Sequence, residues 1–337
     1  MQRLHRVFVL LIIFSGTACD KAVEKDLPGK QPDLFSELIS RGEIRGSLTP
    51  FDLVENPVYR PIHRVDFLDD DEYVFVSKAC GYLLVYPHRS MYVEFVNESS
   101  NGVYMGVSYC PITRSGICFD RLHGSDTLLL TASGYLYRDN LVPIDLHSGS
   151  LWSQMQLRGL TENNRTEMLK TFPLIETTWE TVRKNFPSAL VYIVDSFHKS
   201  IKESADSPGT VFQREQPFGI PGLKEVKLFT LDMFPGEISL VSTSAKEGGR
   251  AIVAGSSSHH YIVSFLTNYM MEPVEGLFPI IMKDETGTHW NIFGEAVSGI
   301  RGGEKLQSPV AYSAADWAWS EFFENVSYHP IASEPLR

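Results

Sequence analysis

VSYCPITRSGICFDR, residues 107–121, places a Cys-Pro turn at the end of a strand-like run and a second cysteine eight positions after the first. Similar short runs lie on either side: YVFVSK from Tyr73, YLLVYP from Tyr82, VYMGVSY from Val103, DTLLLTAS from Asp126 and ALVYIV from Ala189. They are rich in β-branched and aromatic residues and bounded by Gly, Asn, Asp or Ser, which is the pattern of strands closed by turns. The second half offers EISLVS, AIVAGS and YIVSFL in similar order. Two segments have aromatic residues at helical spacing, TTWETVRKNF at 177–186 and AADWAWSEFF at 314–323, opened by plausible caps at Thr177 and Ser313. The expected class is α+β and β-rich, with mostly antiparallel sheets and one helix in each half.

A degenerate internal repeat organises the chain. Ser148-Gly-Ser-Leu-Trp152 recurs as Thr286-Gly-Thr-His-Trp290, and Trp179 recurs as Trp317, each Trp pair being 138 residues apart. We therefore expect two related modules, residues 33–197 and 223–337, joined by a polar, Pro/Gly-rich linker at 198–222 and packed with a pseudo-twofold relation. One continuous domain with the same pseudo-symmetry is the alternative reading. In both, Trp152 is expected to correspond to Trp290 and Trp179 to Trp317.

At the N-terminus, Arg3 and Arg6 precede the apolar run from Val7 to Phe14 and then Gly16-Thr17-Ala18-Cys19, the three-part form of a secretory signal peptide. The run is too short to span a bilayer, which takes about 20 residues. A cysteine after small residues resembles a lipobox, so residues 1–18 are expected to be removed, Cys19 lipidated, and 19–32 left as a flexible tether with Pro28, Gly29 and Pro32. Gly16 departs from the usual lipobox leucine. Asp20 favours retention at the inner membrane, giving a lipid-anchored location in the cell envelope on its periplasmic face. Without Arg3 and Arg6 the chain carries 28 basic against 41 acidic residues, a formal charge of −13, which argues against nucleic acid as a partner. The 43% apolar content is that of a chain with a proper core.

Removing Cys19 leaves Cys80, Cys110 and Cys118, an odd number that cannot be a closed disulfide framework. Cys80 and Cys118 read as small buried hydrophobes. Cys110 precedes Pro111, and proline tends to end central strands, so its sulfur is expected at a rim with Arg114 and Arg121 favouring the thiolate. His259-His260 lacks a partner at ligand spacing and reads as a loop. His88, His123 and His147 are candidates to converge in space, and Asp120, Asp139 and Asp145 with Glu94 are candidate oxygen ligands for a hard cation. No phosphate-binding loop or dinucleotide fingerprint is present.

Three blocks, VSYCPITRSGICFDR, SGYLYRDNLVPIDLHSGSLWSQ at 133–154 and TTWETVRKNFP at 177–187, resemble the bacterial domain of unknown function family 3179. The resemblance spans about Pro50 to Val326 and is strongest in the first half. LLVYPHRSMYVEFVN, residues 83–97, is similar to a further family block and retains Tyr86, Pro87, Arg89, Glu94 and Asn97. Val93 stands where the family has His, so a Cys-His dyad does not carry over. Thr113 stands where many members have a second Cys, which removes a CxxC pair. Kinship with members that carry selenocysteine in this region implies redox or soft-metal work at the thiol position. On that basis Cys110, Arg114, Ser115 and Asp120 form the candidate catalytic set, and Tyr86, Arg89, Glu94, Ser133, Tyr137, Asp145 and Trp152 the candidate binding set. The partner would be a small molecule or a soft metal, while cofactor and oligomeric state stay open. The alternative function is a non-catalytic extracytoplasmic binding or scaffold lipoprotein.

Overall fold

The valine-rich and aromatic runs fold as strands because their branched side chains pack well on a pleated surface. In Tyr73–Ser77 every residue after the first is buried, so the strand is covered on both faces. The computed structural model describes residues 33–194, 216–222, 224–244 and 249–330. The leader, Cys19, the tether and most of the 198–222 linker lie outside these residues. From Asp33 the chain gathers into one unit of mostly antiparallel strands, with short α-helices at Leu34–Ser40, Trp179–Asn185 and Asp316–Phe322 among the described residues. This is the expected β-rich α+β class. No described helix is long and apolar enough to cross a membrane.

A five-stranded sheet in the first half runs in the order Ile175–Thr178, Tyr73–Ser77, Leu84–Pro87, Leu190–Ile193, Val58–Pro61. Its first two pairings are antiparallel, and Leu84–Pro87 runs parallel to Leu190–Ile193. The outer strand Ile175–Thr178 reaches Leu190–Ile193, on the far side of the two strands between them, through the helix Trp179–Asn185. That helix is capped by Thr178, whose hydroxyl accepts the Thr181 N–H. A four-stranded sheet in the second half runs Tyr312–Ser313, Phe218–Pro221, Val226–Phe229, Val326–Tyr328, with the same senses of pairing and with Asp316–Phe322 as the connecting helix. Here the N-cap is Ala315, which has no side chain to offer. The expected caps Thr177 and Ser313 are replaced by residues closer to each helix.

In each half an antiparallel three-strand run is inserted in sequence between strands of the sheet. In the first half it is Phe95–Ser100, Val103–Cys110 and Ser115–Asp120; in the second, Ser239–Ser244, Arg250–Ser256 and Tyr261–Leu266. Cys110 pairs with Ser115 and Ser256 with Tyr261, so both hairpin tips close over four residues. The last tip residue, Arg114 or His260, has φ 51° in each.

The two largest cores both draw on the two halves. One joins Phe95, Ile117, Leu130 and Trp152 to Tyr312, Ala318, Trp319 and Phe322. The other joins Val74, Trp179, Val182 and Val191 to Ile252, Phe265, Met282 and Trp290. Each half therefore lays its helix against the strands of the other, while a third, smaller core around Phe75, Tyr86, Val107 and Tyr192 lies within the first half.

The helix starts also correct one Trp correspondence. The first helix opens at Trp179 after its cap Thr178 and the second at Asp316 after Ala315, an offset of 137 residues that sets Trp179 against Asp316 and not Trp317. Trp179 is buried, whereas Trp317 is 42% exposed and Trp319 takes the core position of that helix, stacked on Tyr312. Trp152 and Trp290 are both buried and both follow a turn tied by an aspartate, Asp145 or Asp284.

Candidate functional site at the Cys110 hairpin

Pro111 ends the Val103–Cys110 strand as expected, but the Cys110 sulfur does not stand at a rim. Cys110 is 1% exposed, and its thiol points at the Asp139 carbonyl, 3.9 Å away. Burial pushes the thiol up, against smaller opposing hydrogen bonds from Thr113, Leu141 and Ile112. The guanidinium argument fails on placement. Arg121 sits at the far end of the partner strand, where it donates to the carbonyls of Met105, Leu128 and Glu98 at 3.1, 2.6 and 3.2 Å. Arg114 acts on the neighbouring Tyr109 phenol instead. Cys80 and Cys118 are buried too, burial raises both thiols, and all three cysteines are unpaired.

Successive strand residues face opposite ways, so the tip has two distinct flanks. On the Cys110 flank lies a buried polar cluster. Ser115 Oγ and Asn140 Nδ2 each donate to Gln154 Oε1 at 2.6 Å, Asn140 Nδ2 also reaches Thr113 Oγ1 at 2.8 Å, and Gln154 Nε2 donates to Ser108 Oγ at 2.8 Å. Thr113, at the position of the missing second cysteine, is a working member of this cluster. Such a network is costly to leave half-made, and here it ties the hairpin to the strand and turn beside it.

On the Tyr109 flank, the His88 ring stacks on Tyr109 and Phe75 at centroid distances of 4.8 and 4.2 Å. His88 Nε2 lies 3.2 Å from Glu176 Oε1 without the geometry of a hydrogen bond. Burial pushes the imidazole down to about 3 and the Glu176 carboxyl up to about 7, shifting each toward its neutral form.

The structure disperses the remaining candidates. Asp120 accepts the Leu122 N–H at 3.0 Å, closing a turn. Tyr86 is buried and exchanges a 2.9 Å hydrogen bond with Tyr59. Arg89 pairs with Glu72 and donates to the Phe67 carbonyl at 3.1 Å. Glu94 has φ 60° at the end of a 3-10 turn, and burial raises its carboxyl to about 7. Ser133 accepts the Tyr135 N–H at 3.1 Å, and Tyr137 packs edge-on to Phe322. Asp145 gathers the N–H groups of Leu129 and Ser148 at 2.8 and 3.0 Å. Trp152 is buried against His123, which pairs with Glu167. His88, His123 and His147 have separate partners and do not converge, and among the described residues no group of three or more His, Cys, Asp or Glu is placed to hold a metal ion.

Outside the hairpin lies a feature that carried no motif. Arg138 and Asp139, with φ 48° and 64°, form the two-residue turn whose inner carbonyl meets Cys110. The outer side of that turn walls an open groove of about 790 Å³ lined also by Glu43, Arg45, Trp317 and Glu321. Arg45 pairs with Asp139 and Arg138 with Glu43. Only an exposed tryptophan on a helix of alternating burial could have signalled it, and in sequence Trp317 is indistinguishable from a core tryptophan.

Residues 52–209 match the model of a family described as protein of unknown function (DUF3179). The match covers the Cys110 hairpin, its polar cluster, His88 and Glu176, and leaves the second half outside. Comparison with curated proteins gives no match, nor does comparison with solved structures.

Proposed function

From the premise that the chain belongs, over residues 52–209, to the protein family of unknown function DUF3179, we propose that it is a non-catalytic binding module tethered to the membrane through Cys19 on the periplasmic face of the cell envelope. Cys110 in this reading is a packing residue. The observation that carries it is the Cys110 sulfur, 1% exposed and directed at the carbonyl of a turn whose outer wall is the groove. A nucleophilic or metal-handling thiol needs access and a stabilised thiolate, and burial opposes both. The leader ending in Gly-Thr-Ala-Cys supports the tether, and Asp20 supports the inner membrane.

Thiol labelling of the native protein tests the core of this reading. Cys110 should resist modification until the chain is unfolded; prompt labelling in the native state with an apparent pKa below about 8.5 restores the thiol site and removes the scaffold reading. Globomycin treatment, or Cys19→Ala, should leave an unprocessed precursor. Normal processing under both conditions sinks the anchor.

The halves are further read as two copies of one module, interlocked about a pseudo-twofold axis. The shared order and senses of the two sheets support this, as do the matching four-residue tips. An experimental structure with strands 218–221, 226–229, 312–313 and 326–328 paired in another order would remove it.

A further inference from the structure

The groove beside the 138–139 turn holds a binding chemistry that the fold does not use. Trp152, Trp179, Trp290 and Trp319 are at most 1% exposed, whereas Trp317 is 42% exposed and lines the groove. A tryptophan left in solvent gains nothing for the core. Four residues along the same helix, Glu321 also lines the groove, and side chains at this spacing lie on one helix face. The other groove charges are committed: Arg45 to Asp139, and Arg138 to Glu43 and to the Glu321 backbone carbonyl. Among the described residues the Glu321 carboxylate makes no ion pair; it feels the field of Arg138 from beyond contact distance.

The ligand's charge follows from this inventory. Glu43, Asp139 and Glu321 outnumber Arg45 and Arg138, and the chain as a whole carries −11, so an anion would approach against the field. A cation meets a favourable potential, an indole face whose quadrupole attracts it, and a carboxylate one turn away. Resting on the binding-module reading, we propose that the groove binds an organic cation, an alkylammonium head group seated over the Trp317 ring with Glu321 as its counter-ion. A small molecule and a lysine side chain both present this group, and the test below distinguishes them.

Acrylamide quenching of the full-length protein reports on this site, because Trp317 is the exposed tryptophan. Choline should protect Trp317 saturably, its neutral isostere 3,3-dimethylbutanol should not, and added salt should weaken the protection. Protection by trilysine but not by choline would assign the cation to a polypeptide. Glu321→Gln should weaken choline binding at least tenfold, and Trp317→Ala should abolish it, followed by calorimetry, with circular dichroism and Tm unchanged. No protection by choline or trilysine, equal protection by the neutral isostere, or calorimetric binding that survives Trp317→Ala overturns the proposal. With a native Cys110 that resists labelling, such a null removes the cation and keeps the tethered module; a reactive Cys110 removes the module itself.

Discussion

The hairpin tips at 111–114 and 257–260 have the same length and the same left-handed last residue, yet they meet different surroundings. In the first, the Thr113 carbonyl accepts the Ala315 N–H at 2.7 Å, at the start of the second-half helix. In the second, the His259 carbonyl accepts the hydroxyls of Thr177 and Thr181 at 2.7 and 3.1 Å, at the start of the first-half helix. Each tip thus supplies an acceptor to the opposite helix, through a main-chain donor where the cap is alanine and through hydroxyls where the cap is threonine. The position of Cys110 is held in the second tip by Ser256, also fully buried, whose hydroxyl bonds Gly236 and His259. If the halves are copies of one module, as proposed, a position that takes Cys in one tip and Ser in the other fits a demand for volume and burial. What differs is beneath the tip. Tyr109 over His88 and Glu176 in the first corresponds to Gly255 in the second, where a Cβ would strike the Phe234 ring at 2.3 Å.

The equivalence of the helices is the first thing to break. Trp179→Ala and Trp319→Ala should each cost about 3–5 kcal/mol, because each removes a fully buried ring from one of the two shared cores. Denaturant titration measures this, and a small loss at Trp319 would return the core position to Trp317.

The difference beneath the tips should appear in pH dependence. Glu94 and Glu176 hold protons up to about 7 when folded but only to about 4.5 in the unfolded chain, so their contribution is complete below pH 4.5 and lost as pH rises to 7. His88, lowered from 6.5 to about 3, works oppositely and removes stability as pH falls through that window. Two carboxyls outweigh one imidazole between 4.5 and 6.5. The joint contribution of these three groups should therefore be largest near pH 4.5 and smaller by about 2–3 kcal/mol at neutrality, after allowing for partial solvent screening. Glu176→Gln should flatten the slope between pH 4.5 and 6.5; an unchanged curve would show that this carboxyl is solvated.

Ser115→Ala leaves Gln154 and Asn140 short of a partner in the buried cluster and should cost about 1–2 kcal/mol. Cys110→Ser should cost about 1 kcal/mol or less, because the hydroxyl can donate to the Asp139 carbonyl as the thiol does. A loss as large as that of the tryptophans would end the analogy with Ser256. Trp317→Ala should change Tm by less than the equivalent of about 0.5 kcal/mol, as expected of a surface change.

Much of the β-rich architecture was legible. The runs at Tyr73, Val103, Ala189, Ala251 and Tyr261 all fall on observed strands, and TTWETVRKNF and AADWAWSEFF on observed helices. Periodicity marks which face is buried but not what covers it, so the exchange of helices between halves could not be read. The matched 138-residue Trp spacing misled for a related reason: the helices start 137 residues apart, at Trp179 and Asp316, and the tryptophans are incidental to that offset. At the candidate site, a Cys-Pro step correctly marked the strand end. Its cover comes from Asp139 and Ala315, 29 and 205 positions further on, which no local pattern announces.

The exchanged cores impose an order on synthesis. As the chain emerges N-terminus first, the strands carrying Phe95, Ile117 and Leu130 are complete long before Tyr312, Trp319 and Phe322 exist to cover them. Their apolar faces stay open until the last helix arrives, and contacts across such separations form slowly. The closing step belongs to the segment from Tyr312 to Phe322, and a nonsense codon shortly before Asp316 would leave a polypeptide most of full length with its principal interior unroofed.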